Sequence, residues 1–217
     1  MKKLFLLSIF LATILITGCA TFSMETNSKM TQSIFLNPVP KEQKTIYLVV
    51  KNTSNMNGVG EKIKSLLIKK LQSKSYKIVD DVKNAHYILF VNVLFANNIK
   101  EKNAGTATAF GVAEGAAIGA SGAPAGSTGK DSLVGAAVGG LIYGVGAKLA
   151  EDETIRIVTD VRVKEKLNPN ATNLNNDKDF KTYDTRVYAQ ATKTHLKVSE
   201  ALPILEEKTA NSIANIF

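Results

Sequence analysis

The apolar positions of this chain fall into two regimes. From Thr45 to Ala96 and from Ile155 to Ile216 they recur at intervals of two or of three to four residues. Between Ala104 and Ala150 they are interleaved with glycine and alanine, and this stretch holds 12 of the 15 glycines. In the first regime, Thr45–Lys51 (TIYLVVK) predicts a strand by its β-branched and aromatic content. Val59, Ile63, Leu66, Leu67 and Leu71 follow a helical period across residues 58–73, with Lys62, Lys69 and Lys70 on the opposite, solvated face. A strand is expected from Tyr76, and Ala85–Ala96 (AHYILFVNVLFA), apolar on both faces, predicts a central strand covered by a helix on one side.

After the glycine-rich stretch, Ile155, Ile157, Thr159, Val161 and Val163 alternate with Arg156, Asp160 and Arg162, as in a half-buried strand. Residues 165–178 read as an Asn-rich loop, and residues 183–198 alternate again. Ser199 can cap a last helix, with Glu200 in its first turn, Pro203 near its start, and a buried stripe of Leu202, Leu205, Thr209, Ile213 and Ile216. The order predicts an α+β fold: a small mixed or antiparallel sheet packed by two amphipathic helices, with an inserted Gly/Ala-rich apolar helical hairpin between neighbouring central strands.

The hairpin reading rests on two arms, Thr106–Ala120 and Ser132–Ala150, joined by the turn-forming stretch Ser121–Asp131. Small residues recur every four positions: Gly111, Gly115 and Gly119 in the first arm, Gly135 and Gly139, then Gly140 and Gly144, in the second. That spacing lets helices pack closely, and the arms would rise about 23 and 28 Å, comparable to a bilayer core. The alternative is a flexible loop, since each interior glycine costs about 1 kcal/mol of helix propensity against alanine. Phe110, Ile118, Leu141, Ile142 and Tyr143 argue for the hairpin, because a solvated loop would expose them. Glu114 lies within the first arm, where a carboxylate costs roughly 2.5–3.5 kcal/mol on insertion and so is expected to point into an assembly. Lys148 is placed to snorkel to the interface.

The amino terminus supplies a route to the membrane. Lys2 and Lys3 precede the apolar run Leu4–Ile16, which is too short to span a bilayer and has the form of a secretory signal. Ile16-Thr17-Gly18-Cys19 resembles the bacterial lipobox, and Cys19 is the chain's single cysteine. The expected covalent lipid is diacylglycerol on the Cys19 sulfur and an acyl chain on its amine, more than the two signals that stable anchoring needs. Ala20 follows, in place of the aspartate that in similar lipoproteins signals inner-membrane retention, which favours the outer membrane. The chain thus divides into a lipoprotein signal peptide (1–18), the lipidated cysteine and a flexible tether (19–33), the first part of the α+β domain (34–103), a membrane and oligomerisation hairpin (104–150), and the second part of the domain (151–217).

Composition mainly excludes. The formal charge of +8 falls by two when Lys2 and Lys3 leave with the signal. The remaining lysines are scattered, without a nucleic-acid-binding motif, so nucleic acid is not an expected partner. His86 and His195 have no second His, Cys or acidic cluster at ligand spacing, so no metal and no cofactor is expected. No nucleophile elbow, phosphate loop or zinc-protease motif occurs, and an enzyme is not expected. The sequons at Asn52 and Asn170 carry no weight in a bacterial lipoprotein.

Several blocks together resemble the TraT family of complement-resistance and surface-exclusion lipoproteins. They are LITGC; MTQSIFLNPVPKEQKTIYLVVKNTS (Met30–Ser54); AHYILFVNVL (Ala85–Leu94); the Gly-Ala hairpin; IVTDVRVKEK (Ile157–Lys166); and the carboxyl-terminal block within Tyr183–Phe217. The resemblance implies a surface-associated outer-membrane lipoprotein that forms a ring-like homo-oligomer. It also implies exclusion of redundant conjugation, with components of the donor conjugation apparatus as partners, and reduced killing by complement. The turn 121–131 and the loop after Lys166 depart from the family pattern, which is where partner specificity would sit. The competing expectations are an oligomeric channel or translocation component, with hairpins lining a passage, and a structural envelope lipoprotein.

Overall fold

A computed structural model describes residues 23–98 and 152–217, apart from 175 and 177. Six strands and two α-helices run in the order β1 (Glu25–Met30), β2 (Thr45–Asn52), α1 (Val59–Ser73), β3 (Lys77–Val79), β4 (Tyr87–Asn98), β5 (Asp152–Lys166), β6 (Phe180–Thr194) and α2 (Val198–Ala214). The strands form one mixed sheet in the order β1-β6-β5-β4-β2-β3. β2 lies parallel to both β3 and β4, whereas β4, β5, β6 and β1 are antiparallel in succession. The α+β class and the mixed sheet are as the periodicities predict. β4 and β5 are indeed neighbours, paired from Tyr87↔Glu165 to Asn98↔Ile155. The inserted hairpin expected at 104–150 lies outside the described residues.

Both helices lie on one face of the sheet. Val59, Ile63, Leu67 and Leu71 of α1 and Ala201, Leu205, Ala210 and Ile213 of α2 share a core with Leu89, Val91, Ile155, Ile157, Val187 and Ala189. The period-two pattern of the strands and the helical period therefore meet in one layer. Lys70 of α1 pairs with Glu207 of α2 at the surface of this layer. On β4 a bulge between Val93 and Phe95 shifts the register, so that Ala96 and Asn98 are buried after Leu94. The segment between β1 and β2 crosses the end of the core, where Ile34, Leu36 and Val39 pack against it.

Three expectations need correction. The tether expected over 19–33 contains β1: Glu25–Met30 pairs with residues 187–192 of β6 as an edge strand. Its polar side chains hid it, because an edge strand needs only backbone partners and a half-buried face. The loop expected from Glu165 begins instead after Lys166, since β5 continues and buries Glu165 to 4 % exposure. Ser199 does not cap α2. The N-cap is Lys197, without a side-chain cap bond, and Ser199 lies in the first turn.

The start of α1 is tightly fitted. A Cβ on Gly60 would meet the Cβ of Asn52 at 2.9 Å. Asn52 cannot retreat freely, because its Nδ2 donates to the Met56 carbonyl (2.8 Å) and its Oδ1 accepts from Ser54 Oγ (2.7 Å). Gly60→Ala should therefore lose about 1–2 kcal/mol of stability, despite alanine's better helix propensity. Urea unfolding measures this; a more stable variant would contradict the fit described.

Candidate functional surface

One rim of the sheet gathers the points at which the described chain begins at the amino-terminal lead and is interrupted between Asn98 and Asp152. Glu25 pairs with Thr192, Thr192 with Thr154, and Asn98 with the adjacent Ile155. Side chains tie the row together. Thr154 and Thr192 hydroxyls lie 3.0 Å apart, Thr194 Oγ1 donates to Asp152 Oδ1 (2.9 Å), and Asn98 Nδ2 donates to Glu153. Successive strands are about 4.8 Å apart, so the starts or ends of β1, β5 and β4 sit within roughly 15 Å of one another.

The sheet face away from the helices carries a charged ladder across β5 and β6. Arg156 Nη2 donates to Gln190 Oε1 (2.8 Å), Arg186 Nε to Asp160 Oδ1 (2.7 Å), and Arg162 makes a two-pronged pair with Asp184 (2.6 and 3.1 Å). Each is a directly opposed cross-strand pair, and in the two Arg–Asp pairs the opposite charges stabilise the sheet. The pairs differ in depth: Arg186 and Arg156 are buried, whereas Asp184 is exposed. Arg186 Nη2 is buried without a hydrogen-bond partner. Burial pushes the Asp160 carboxyl above its usual range, and Arg186 partly offsets the rise. The alternation of Arg156, Asp160 and Arg162 was legible as the polar side of a strand, but its burial and its partners on β6 were not.

At the opposite end of the sheet a second polar cluster lies beneath the β1–β2 crossing. Glu165 accepts from Tyr183 OH (2.8 Å) and from Asn37 Nδ2 (3.2 Å), and Tyr87 OH donates to the Asn37 carbonyl (3.2 Å). His86 Nε2 is buried without a hydrogen-bond partner, 4.0 Å from Glu165 Oε1. Burial pushes the His86 imidazole below its ordinary range; Glu165 opposes that shift and Lys166 adds to it. Burial, then the Glu165 charge, drives the Tyr87 phenol far upward. Lys166 Nζ donates to the carbonyls of Val82 and Lys83 (3.1 and 3.2 Å). Here the carboxylate's acceptor sites are taken up by the fold, which suits a structural latch better than proton transfer. The strand alternation through Val161 and Val163, continued by two residues, was the available signal for Glu165.

Among the described residues no group of three or more His, Cys, Asp or Glu could hold a metal ion, and no helix is long and apolar enough to cross a membrane. His195 is exposed in the turn after β6, whereas His86 precedes β4 at the other end of the sheet. Cys19, Gly111, Gly115, Gly119, Gly135, Gly139, Gly140, Gly144 and Glu114 all lie outside the described residues.

The ladder and the latch can each be tested. Arg186→Met leaves Asp160 mostly buried without its cation and should cost about 2–3 kcal/mol, whereas Arg162→Met should cost less than about 1 kcal/mol because that pair is exposed. Equal losses in urea unfolding would contradict the difference in depth. The lowered His86 pKa means that the folded state favours neutral imidazole, so this contribution is present above histidine's ordinary range and lost as pH falls below it. Asp160 and Glu206, both raised by burial, act in the opposite sense at lower pH. The informative quantity is therefore the difference between wild type and His86→Gln, which should change in the variant's favour between pH 7 and about 5.5; a constant difference would refute the assignment.

Comparison with known proteins agrees along the whole described domain. The family model described as enterobacterial TraT complement resistance protein matches residues 23–217. A TraT complement resistance protein of Escherichia coli is 31 % identical over 251 residues, covering 100 % of this chain and 99 % of its own. Its counterpart in Wigglesworthia glossinidia brevipalpis is 26 % identical over 265 residues, covering 100 % and 98 %. Among solved structures, a PelC dodecamer from Paraburkholderia phytofirmans aligns over 84 % of this chain and 95 % of its own, at 10 % identity and a TM-score of 0.34, a likeness too slight to bear on function. The match to the family model and the full-length identity place this chain in the TraT complement-resistance family.

Proposed function

We propose that the protein is an outer-membrane lipoprotein acting as a homo-oligomer, both in surface exclusion of redundant conjugation and in resistance to complement. The observation that carries this reading is family membership across residues 23–217. Two features support it. The lipobox ending at Cys19 precedes the matched region, and the Gly-Ala insertion enters and leaves through adjacent antiparallel strands. The described residues flanking the insertion, Asn98 and Asp152, lie on adjacent strands within roughly 12 Å of each other, close enough for a helical hairpin to leave and return.

On this reading, acyl chains on Cys19 hold the protein in the membrane. The faces built on Gly111, Gly115 and Gly119 and on Gly135, Gly139, Gly140 and Gly144 pack arm on arm, and Glu114 points into the assembly away from lipid. The function is one of barrier and recognition, without catalysis, cofactor or nucleic acid. The loop 167–179, at the end of the sheet opposite the insertion, is the segment suited to meeting a partner such as a component of the donor's conjugation apparatus.

The test compares full-length lipidated protein from outer membranes with a variant lacking residues 104–150. The full chain should run as a large homo-oligomer and the deletion as a monomer, and Gly115→Leu or Gly139→Leu should also lower the mass. In recipient cells displaying the full chain, entry of donor DNA and killing by serum should both fall at least several-fold. Unchanged transfer and unchanged killing with normal surface display would overturn the reading.

A further inference from the structure

We infer that the rim bearing Glu25, Asn98 and Asp152 is the domain's lipid-facing surface, and that β5 and β6 stand away from the bilayer with the loop 167–179 at the far tip. The inference rests on the proposed lipidation of Cys19 and membrane contact of the insertion, and adds to it the orientation of the domain. Its basis is where the chain leaves the described fold. Glu25, Thr192 and Thr154 form one row across the sheet, and Asn98 pairs with Ile155 beside it. Three connections therefore leave from one rim: the lead toward Cys19, the start of the insertion after Asn98 and its end before Asp152.

Length decides between this orientation and its reverse. Cys19 and Glu25 are separated by few enough residues that the link spans about 20 Å when fully extended. β5 is 15 residues long, about 45 Å from rim to tip. The lead from Cys19 cannot run back along the sheet and place the opposite end on the bilayer. The insertion imposes the same choice independently, because the described residues that flank it, Asn98 and Asp152, belong to strands paired at this rim.

Charge does not supply the attraction. Glu25, Asp152 and Glu153 outweigh Lys197 at the rim, while Lys193 is paired with Glu200 (2.7 Å). The rim is held against lipid by its connections, so the contact should persist at high salt, unlike one made by a basic patch. Away from the lipid, Leu167 is exposed beyond the end of β5, and Phe35, 82 % exposed, lies on the crossing that covers the same end of the core.

The experiment uses the full-length lipidated protein, in which Cys19 is acylated and an introduced cysteine is the only free thiol. Lys197→Cys and Glu25→Cys at the rim, and Asn168→Cys at the tip, are exposed positions suited to a thiol-reactive fluorophore. Each labelled protein is bound to phosphatidylethanolamine–phosphatidylglycerol vesicles carrying a headgroup-attached quencher, at low and high salt. Both rim positions should be quenched at least three-fold more strongly than the tip, and salt should not remove the difference. Flotation of the same samples separates the outcomes. Vesicles that float with the protein but quench the tip as much as the rim, or quench neither, overturn the orientation and leave the lipoprotein reading intact. Protein that does not float overturns both.

Discussion

The antiparallel pairing of β4 with β5 holds the two halves of the domain together. It joins residues on either side of the insertion, from Tyr87↔Glu165 to Asn98↔Ile155. Closing a loop of the insertion's length costs about 3.5 kcal/mol beyond the constant term. Leu89, Val91, Val93, Ile157, Val161 and Val163 offset it by burying their side chains under both helices. If that ladder opened, the two halves would be joined mainly through the packing of α1 against α2, with Lys70 and Glu207 paired at its surface, and the sheet beneath both helices would be split.

The two faces of the sheet have different physical characters. Toward the helices the contacts are apolar and continuous, and this face sets stability. Away from them the ladder of Arg156, Asp160, Arg162, Asp184, Arg186 and Gln190 separates smaller apolar clusters around Ile88 with Phe180 and around Val158 with Tyr188. Paired buried charges contribute little net stability but penalise a shifted register, because each charge would then face the wrong partner. The crossing between β1 and β2 closes the far end through Asn37, Glu165 and Tyr87. A domain organised this way keeps its chain connections at one end and its surface loop at the other.

Much of this fold was legible because its interior obeys simple periods. The buried set of α1 is nearly the predicted one, and the central position of β4 follows from its being apolar on both faces. In α2, Leu205, Thr209 and Ile213 are buried as the period predicts, whereas Leu202 is only half-buried and Ile216 is buried just beyond the helix end; Ala201, Ala210 and Ala214 join the stripe as small residues that let the helix approach. What escaped was held by long-range pairing. β1, ETNSKM, has no apolar signature of its own and is a strand only because β6 offers it a free edge. Glu165 looks like a loop residue until Tyr183 and Asn37 are brought to it from positions far along the chain. The residues singled out as functional in the sequence, Cys19, Glu114 and the glycine series, belong to segments beyond the described fold. The fold contributes the rim from which those segments depart, and no local pattern marks that rim.

Everything said of that rim depends on β1 fixing the amino-terminal lead where the insertion begins and ends. A spin-label distance between Glu25→Cys and Glu153→Cys, with Cys19 replaced by serine, decides whether it does. Two strand spacings separate these positions, so the expected distribution is narrow and centred below roughly 20 Å. A broad distribution reaching well beyond that would mean that Glu25–Met30 is a free tether, and the shared rim would not exist.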